Sequence, residues 1–292
     1  MNISTEQGKA DVLIEALPYL QKFHGSTVLV KFGGSAMEDM SRAHDVLRDV
    51  AFMAIAGMTP IVVHGGGKAI NAELLKAGVE PRFINGLRYT DAATIKVVDR
   101  VLHGTVNAAL VDYMRETCHA AATAVSGKDI LRCRRITSAA ADGSEVDLGF
   151  VGKVVNVDTP QLKWILSRQE IPIIAPLACD QNGGVFNINA DMAACEIAAE
   201  MKVQKLVFLS DVPGVLRDPK DPASLISEIR CGEVEGLISE GVISGGMIPK
   251  LRSAVEAIAA GVGKVHLVDG RLKHSLLLEV FTTAGVGTQI IP

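Results

Sequence analysis

Cysteine is scarce and unpatterned in this chain of 292 residues: Cys118, Cys133, Cys179, Cys195 and Cys231 are odd in number and include no C-x-x-C pair. That argues against a disulfide framework and against a cysteine zinc site, and it predicts reduced thiols in or near the core. Aromatic residues are few (4%), the formal charge is −4, and there is no long basic block, which together count against a nucleic-acid binder. No apolar run reaches membrane-spanning length, because Asp, Glu, Lys or Gly interrupts each candidate. The N-terminus lacks the basic-then-apolar order of a signal peptide and is too acidic for a transit peptide, so a soluble, cytoplasmic protein is expected. Two common phosphate-binding patterns are also missing. G-x-x-x-x-G-K-[ST] is absent because Lys68 follows three consecutive glycines and precedes Ala69. Without a G-x-G-x-x-G turn, a hydride-transfer enzyme loses its main support.

What is present is a chain 48% hydrophobic and 21% charged, enough to bury a full core as one large α/β domain or two lobes. Residues 3 to 24 read as an amphipathic helix with Val12, Leu13, Leu17, Leu20 and Phe23 on one stripe, kinked by Pro18 and ended by Gly25. A helix ahead of the first core strand with an apolar stripe predicts contact with a partner. Strand and helix then alternate: Thr27 to Phe32 as strand, Met40 to Ala56 as helix, Thr59 to His64 as strand and Lys68 to Ala77 as helix. Ala92 to Glu116 reads as one long helix, and Arg132 to Val155 as hairpins covering an opening. Helix Pro160 to Gln169, strand Ile171 to Ala175, a helix to Met201, strand Lys205 to Ser210 and helices Cys231 to Glu240 and Leu251 to Ala260 follow, closed by strands Val265 to Val268 and Thr288 to Ile291. The alternation predicts βαβ units and a mainly parallel sheet.

Two strands end alike, Val28-Leu-Val-Lys31-Phe-Gly33-Gly34-Ser35 and Pro60-Ile-Val-Val-His64-Gly65-Gly66-Gly67-Lys68. A buried strand that ends in side-chain-free turns, with a lysine nearby, brings backbone N–H groups and an ammonium up to a phosphate. Isolated lysines and glycine amides on several loops suit phosphoryl transfer, which consists mostly of electrostatic positioning. Each residue also has an ordinary reading: Lys250 and Arg88 as solvated charges, Asp191 as the N-cap of the helix that follows it, and Asn85-Gly86 as a turn.

The ordered set Lys31-Phe-Gly-Gly, His64-Gly-Gly-Gly, Asn85-Gly-Leu-Arg88, Asn187-Ile-Asn-Ala-Asp191, Leu209-Ser-Asp-Val-Pro-Gly214 and Gly245-Gly-Met-Ile-Pro-Lys250 resembles the amino acid kinase family from about Val28 to Ile291. The resemblance implies an α/β fold, a three-layer αβα sandwich around a mainly parallel open sheet. It further implies an N-terminal oligomerisation helix (1–24), an acyl amino acid lobe (25–180) and an ATP lobe (181–292). The implied reaction is ATP-dependent phosphorylation of the γ-carboxylate of N-acetyl-L-glutamate, with Mg²⁺ carried by ATP and no protein-only metal site. By the same resemblance Lys31 and Lys250 are the transition-state lysines, and Asp191 fixes both. Gly66, Gly67, Arg88, Asn187 and Asn189 hold the acyl amino acid. Gly33, Gly34, Ser210, Asp211, Gly214, Val215, Leu216, Val242, Ile243 and Ser244 hold the nucleotide. His64 is expected to be a packed strand end, because a γ-carboxylate with a pKa of about 4 is already ionised and needs no general base.

The C-terminal stretch His266-Leu-Val-Asp-Gly270-Arg271-Leu-Lys-His274, with Glu279 and Gly287-Thr288, resembles the arginine-inhibited members. It implies an L-arginine effector site at Lys220, His266, Glu279, Gly285 and Gly287, and a hexamer built as a trimer of dimers. Positions 103 and 105, where many relatives carry a small apolar residue and arginine, are His and Thr here, and Ser126-Gly-Lys-Asp129 is followed by Ile130-Leu131 in place of glycines. Those departures bear on fine contacts of the substrate lobe and dimer surface. A sibling kinase acting on another acidic substrate would share most of the motifs, as would a catalytically silent arginine sensor, although retention of Lys31, Lys250 and Asp191 weighs against the sensor.

Overall fold

A computed structural model describes residues 3–37, 40–139, 144–282 and 285–292. Eight strands form one sheet in the order Glu228–Arg230, Thr288–Ile291, Lys264–Asp269, Lys205–Ser210, Thr27–Phe32, Thr59–His64, Ile171–Ala175 and Ala122–Ser126. The six from Lys264–Asp269 onward are mutually parallel. The two at the other edge run the opposite way, through the antiparallel pairing of Thr288–Ile291 with Lys264–Asp269. Parallel neighbours need crossovers, and the crossover helices cover both faces, as the strand–helix alternation predicts.

Period-two alternation in the central strand decides where its one lysine goes. Val28, Val30 and Phe32 enter one core layer with Val46, Leu47 and Val50 of helix Met40–Ile55. Leu29 enters the other with Ala193, Ala194 and Ile197 of helix Ala190–Glu200 and with Leu251 and Ala254 of helix Met247–Ala259. Lys31 shares the Leu29 face, so it projects toward those two helices. The chain leaves Thr27–Phe32 on one side for Thr59–His64, and leaves Lys205–Ser210 on the other for Lys264–Asp269. A crevice past the carboxyl ends of the central pair is the expected ligand position in such a sheet.

Four further strands, Leu131–Ala139, Glu145–Val157, Leu177–Cys179 and Val185–Ile188, close into a small barrel beside that crevice. The expected hairpin is thus present, with residues 140–143 outside the described set. Thr90 ties it to the preceding loop: its N–H donates to Leu148 O at 3.0 Å, and its carbonyl accepts from Phe150 N at 2.6 Å. The N-terminal helix spans Ile3–Phe23 and continues through Pro18; residues 1 and 2 of the expected segment lie outside the described set. Its last residue, Phe23, packs on the core, whereas Val12, Leu13 and Ile14 stand 64%, 64% and 69% exposed.

Three expectations are corrected. Ala92 to Glu116 is not one α-helix: Ala92–Asp99 and Ala108–Glu116 flank a π-helical segment, Arg100–Asn107. The helix expected from Leu251 begins at Met247, since proline is tolerated in a first turn, where its missing N–H would lack a partner in any case. Lys250 therefore stands on a helix rather than a loop. Asp191 is not an N-cap; Asn189 is, its Oδ1 accepting from Asp191 N at 2.9 Å and Met192 N at 3.1 Å. Asp191 lies in the first turn, where the helix dipole favours its negative charge.

Candidate active site

Asp191 joins the two lysines. Lys31 Nζ lies 2.6 Å from Asp191 Oδ1, and Lys250 Nζ donates to Oδ2 at 2.7 Å. Strand Thr27–Phe32 supplies Lys31, helix Ala190–Glu200 the carboxylate and helix Met247–Ala259 Lys250. Burial by itself would raise the Asp191 pKa, but the two ammonium groups outweigh it and hold the carboxyl far below the usual range. Lys250 Nζ also stands 5.0 Å from the Phe208 ring centroid, a cation–π contact. Two ammonium groups against one carboxylate leave the cluster with one net positive charge. The lysine side chains retain 12% and 16% exposure, enough for unused N–H donors to meet an incoming anion.

Beside Lys31 the two glycine turns meet. A β-carbon on Gly65 would come within 3.0 Å of Gly33 Cα, and one on Gly33 within 3.3 Å of both Gly65 Cα and Lys31 Nζ. Only glycines let the ends of these adjacent strands approach so closely. Past them lies a cavity of about 190 Å³ walled by Gly65, Gly66, Gly67, Arg88, Asn187 and Asn189 among others. Arg88 is 7% exposed, donates through Nη2 to Gly67 O at 3.1 Å and stacks on Phe83, while its buried Nη1 has no partner among the described residues. Burial draws the Arg88 pKa down, and an anion docking at Nη1 would oppose that shift. Asn187 Nδ2 donates to Thr90 Oγ1 at 3.2 Å, and that hydroxyl donates to Arg88 O at 2.8 Å. Thr90, which the sequence reading did not single out, thus links the cavity's arginine to its asparagine. Gly34 lies on an adjoining apolar cavity of about 380 Å³ that shares Gly66, Gly67 and Arg88.

On the other side of the lysines a cavity of about 690 Å³ is lined by Ser210, Asp211, Gly214, Val215, Leu216, Val242, Ser244 and Lys250. Met247 and Arg271 also line it and were not anticipated. Ile243 does not: at 1% exposure it belongs to the hydrophobic core. Gly33 and Gly34, expected on the nucleotide side, are likewise absent from this wall. The start of helix Ala190–Glu200 is tied to both spaces. Asn189 and Ala190 at its start face the smaller cavity, and Asp191 reaches Lys250 on the wall of the larger.

A separate, buried charged cluster lies beside the neighbouring inner strands Lys205–Ser210 and Lys264–Asp269. His266 Nδ1 meets Glu279 Oε1 at 2.7 Å, and Glu279 Oε2 accepts from Val286 N at 2.8 Å and Gly287 N at 3.0 Å. Burial would raise the Glu279 pKa, but these bonds together bring it below its usual value. Lys205 Nζ lies 3.4 Å from His266 Nε2 and 4.5 Å from the Phe23 ring centroid, and burial, aided by Lys264, pushes its pKa down to about 8. Gly285 and Gly287 border this cluster. Lys220 does not join it; it sits in an exposed turn where its N–H donates to Asp218 Oδ1 at 2.9 Å. Lys205 stands where a cation was expected, and its place at the start of an apolar strand hid it from the sequence reading.

The sequence profile of the amino acid kinase family matches residues 26–269. The chain is 47% identical over 289 residues to the acetylglutamate kinase of Heliobacterium modesticaldum, covering 97% of this chain and 98% of that protein. Its fold resembles the N-acetylglutamate synthase of Neisseria gonorrhoeae complexed with coenzyme A and N-acetyl-glutamate, with a TM-score of 0.84, 26% identity and 97% of this chain aligned to 63% of that one. The same synthase complexed with coenzyme A and L-arginine gives a TM-score of 0.81 at 26% identity, with 97% and 65% of the chains covered. This chain therefore spans somewhat under two thirds of the synthase.

Proposed function

The chain belongs to the amino acid kinase family, and on that premise we propose that it transfers the γ-phosphoryl group of Mg²⁺-bound ATP to the γ-carboxylate of N-acetyl-L-glutamate, forming N-acetyl-L-glutamyl 5-phosphate. The observation that carries the reading is the Lys31–Asp191–Lys250 cluster between a small cavity with an unpartnered arginine nitrogen and a larger one fit for a nucleotide. A near-full-length relative at 47% identity that bears the name acetylglutamate kinase supports the choice of acceptor.

In this mechanism Arg88 takes the substrate's α-carboxylate through Nη1. Asn187 and the Nδ2 of Asn189 take the acetamido group and adjacent carboxylate. The γ-carboxylate is anionic at neutral pH and attacks directly, so no base is required. Lys31 and the glycine amides gather the oxygens of the migrating phosphoryl group. Lys250 meets the charge that builds on the bridging oxygen as it leaves, and both cations act where negative charge grows. Asp191 binds neither substrate; it sets the spacing of two groups that would otherwise repel. Mg²⁺ comes with ATP, held by phosphates and water.

The finer proposals are cytoplasmic residence, the two-lobe division, inhibition by L-arginine at the His266–Glu279 cluster with Lys205 in the role expected of Lys220, and assembly as a trimer of dimers through the exposed stripe of the first helix. The arginine complex of the structurally similar synthase supports the effector reading. The acceptor is tested by trapping the acyl phosphate as hydroxamate in the presence of ATP and Mg²⁺, with N-acetyl-L-glutamate, L-glutamate, L-aspartate, N-acetyl-aminoadipate and carbamate offered separately. Preference for N-acetyl-L-glutamate supports the reading; another preferred acid moves the chain to a sibling activity, and no turnover with any of them overturns it. Loss of turnover at millimolar L-arginine tests the regulatory part, and the solution mass after deletion of residues 1–24 tests the assembly.

A further inference from the structure

The π-helical segment Arg100–Asn107 is used by nothing described so far, although π geometry is rare and concentrates at functional sites. Its i→i+5 hydrogen bonding brings residues five apart near one another on the helix surface, which an α-helix does not. Leu102 and Asn107 are such a pair, and both face the His64-Gly-Gly-Gly turn. A β-carbon on Gly66 would sit 2.4 Å from Leu102 Cδ2, and Asn107 Nδ2 lies 3.1 Å from His64 Nε2.

The hydrogen bonds around His64 permit one arrangement. Ile173 O can only accept, so the nitrogen of the Asn107 amide must face it, as it does at 2.8 Å. The second N–H of that amide then points at His64 Nε2, which must be unprotonated to accept it. The ring proton is left on Nδ1, donating to Gly65 O at 2.7 Å. The Gly65 N–H in turn donates to Phe32 O at 2.7 Å. The residue is therefore held at both ends, by the central strand and by the histidine. A trans peptide points its C=O and the next N–H in opposite directions, so drawing Gly65 O toward His64 turns the Gly66 N–H away from the ring. Gly66 and Gly67 precede the first helical hydrogen bond, and their amides have no backbone acceptor among the described residues. His64 is fully buried, and burial pushes its pKa down to about 4, which keeps the ring neutral at neutral pH.

We propose that His64 and Asn107, the latter seated by the π-helical segment, are positioning residues: together they lock the Gly65 peptide so that the Gly66 amide is aimed at an oxygen of the transferring phosphoryl group. The proposal rests on the phosphoryl-transfer reading above and deepens it. A displacement near 1 Å at such a donor costs up to about 100-fold in rate. It acts on the chemical step more than on binding.

The test uses the full-length protein and two variants at one position. His64→Asn keeps a donor near the Nδ1 place, whereas His64→Leu fills similar space with none. We expect His64→Leu to lower kcat by roughly 30- to 100-fold with both KM values within about 3-fold, and His64→Asn to recover most of that loss. Equal losses in the two variants, or a change confined to KM, overturn the proposal. Independently of turnover, long-range ¹H–¹⁵N spectra of histidine-labelled protein should show a neutral ring protonated at Nδ1 that does not titrate from pH 8 to 5. That signal should disappear in His64→Asn and become titratable or switch tautomer in Asn107→Asp. A titrating or Nε2-protonated His64 in the wild type contradicts the proposal whether or not the chain turns over. If another acidic acceptor is preferred, the same kinetic comparison is made on that acceptor, so failure of the substrate assignment and failure of the positioning role give different results.

Discussion

Two carboxylates, the half-buried Asp191 and the buried Glu279, are each held by nitrogen donors, and their surroundings lead to different outcomes. Asp191 meets two ammonium groups that keep N–H donors free toward a crevice. Both Glu279 oxygens are taken by its own chain, Oε1 by His266 and Oε2 by the amides of Val286 and Gly287. The first arrangement has spare positive charge facing space, as a site that binds anionic transition states requires. The second is closed, and its charge is spent on holding the turn before Thr288–Ile291 against the sheet. A ligand acting there would have to compete with existing bonds, which suits an effector better than a substrate. A buried charge, then, does not by itself identify a working site; unspent hydrogen-bonding capacity beside a cavity does.

The contrast can be broken most forcefully at Lys31. Lys31→Ala should lower kcat by about 1,000-fold or more with the KM for ATP changed only a few-fold, measured by steady-state kinetics. A loss below about 10-fold would put the spare charge of the cluster outside the reaction. Asp191→Asn should come next, with kcat down roughly 100-fold as the two ammonium groups separate. It should also lower unfolding free energy by about 3 kcal/mol in urea titrations, since uncompensated like charges remain. A variant with lower stability but unchanged kcat would make Asp191 purely structural. Arg88→Ala should raise KM for the acyl amino acid by about 10- to 100-fold and leave kcat within a few-fold, because that contact persists from ground state to transition state.

The sequence reading reached the first region further than the second, for identifiable reasons. Lys31 could be located because a β-strand has period two and two glycine turns on neighbouring strands make their purpose visible. The contact of Lys31 with Asp191 was implied by the family resemblance, although Asn189, and not Asp191, proved to be the cap. Lys205 was missed because a lysine at the start of an apolar strand reads as a surface terminus; its burial comes from Phe23 of a distant helix. Lys220 came only with the resemblance, and the structure leaves it in an exposed turn. The π-helical segment had no usable signal, since its apolar residues fit a continuous 3.6-residue period over Ala92 to Glu116. Ile243 came with Val242 and Ser244 from the resemblance, while the turn there sends its side chain into the core and leaves those two on the cavity.

At the closed cluster the effects should be smaller. Glu279→Gln should leave kcat without effector within about 2-fold but cost about 2 kcal/mol of stability at pH 7, through loss of charge-assisted hydrogen bonds. The pH dependence has a definite sign. A carboxyl lowered in the folded state contributes stability above its unfolded pKa of about 4.3, and that contribution is lost as pH falls through the folded value. His266, lowered mainly by burial, takes up its proton more readily when unfolded, so acidification below about 6.5 also favours unfolding. Denaturant titrations from pH 7 down to about 2.5 should therefore show wild-type stability falling first below about 6.5 through His266 and again below about 4.3 through Glu279, the second fall being absent in Glu279→Gln. A parallel decline would mean that Glu279 is not held as described.

The central claim is that Lys250, fixed by Asp191, serves the transition state and not ground-state affinity. The direct measurement is kcat and KM of Lys250→Ala with ATP and N-acetyl-L-glutamate, the acyl phosphate trapped as hydroxamate. A fall in kcat of about 1,000-fold with both KM values within about 5-fold is predicted. A rise in the KM for ATP at unchanged kcat would contradict the account.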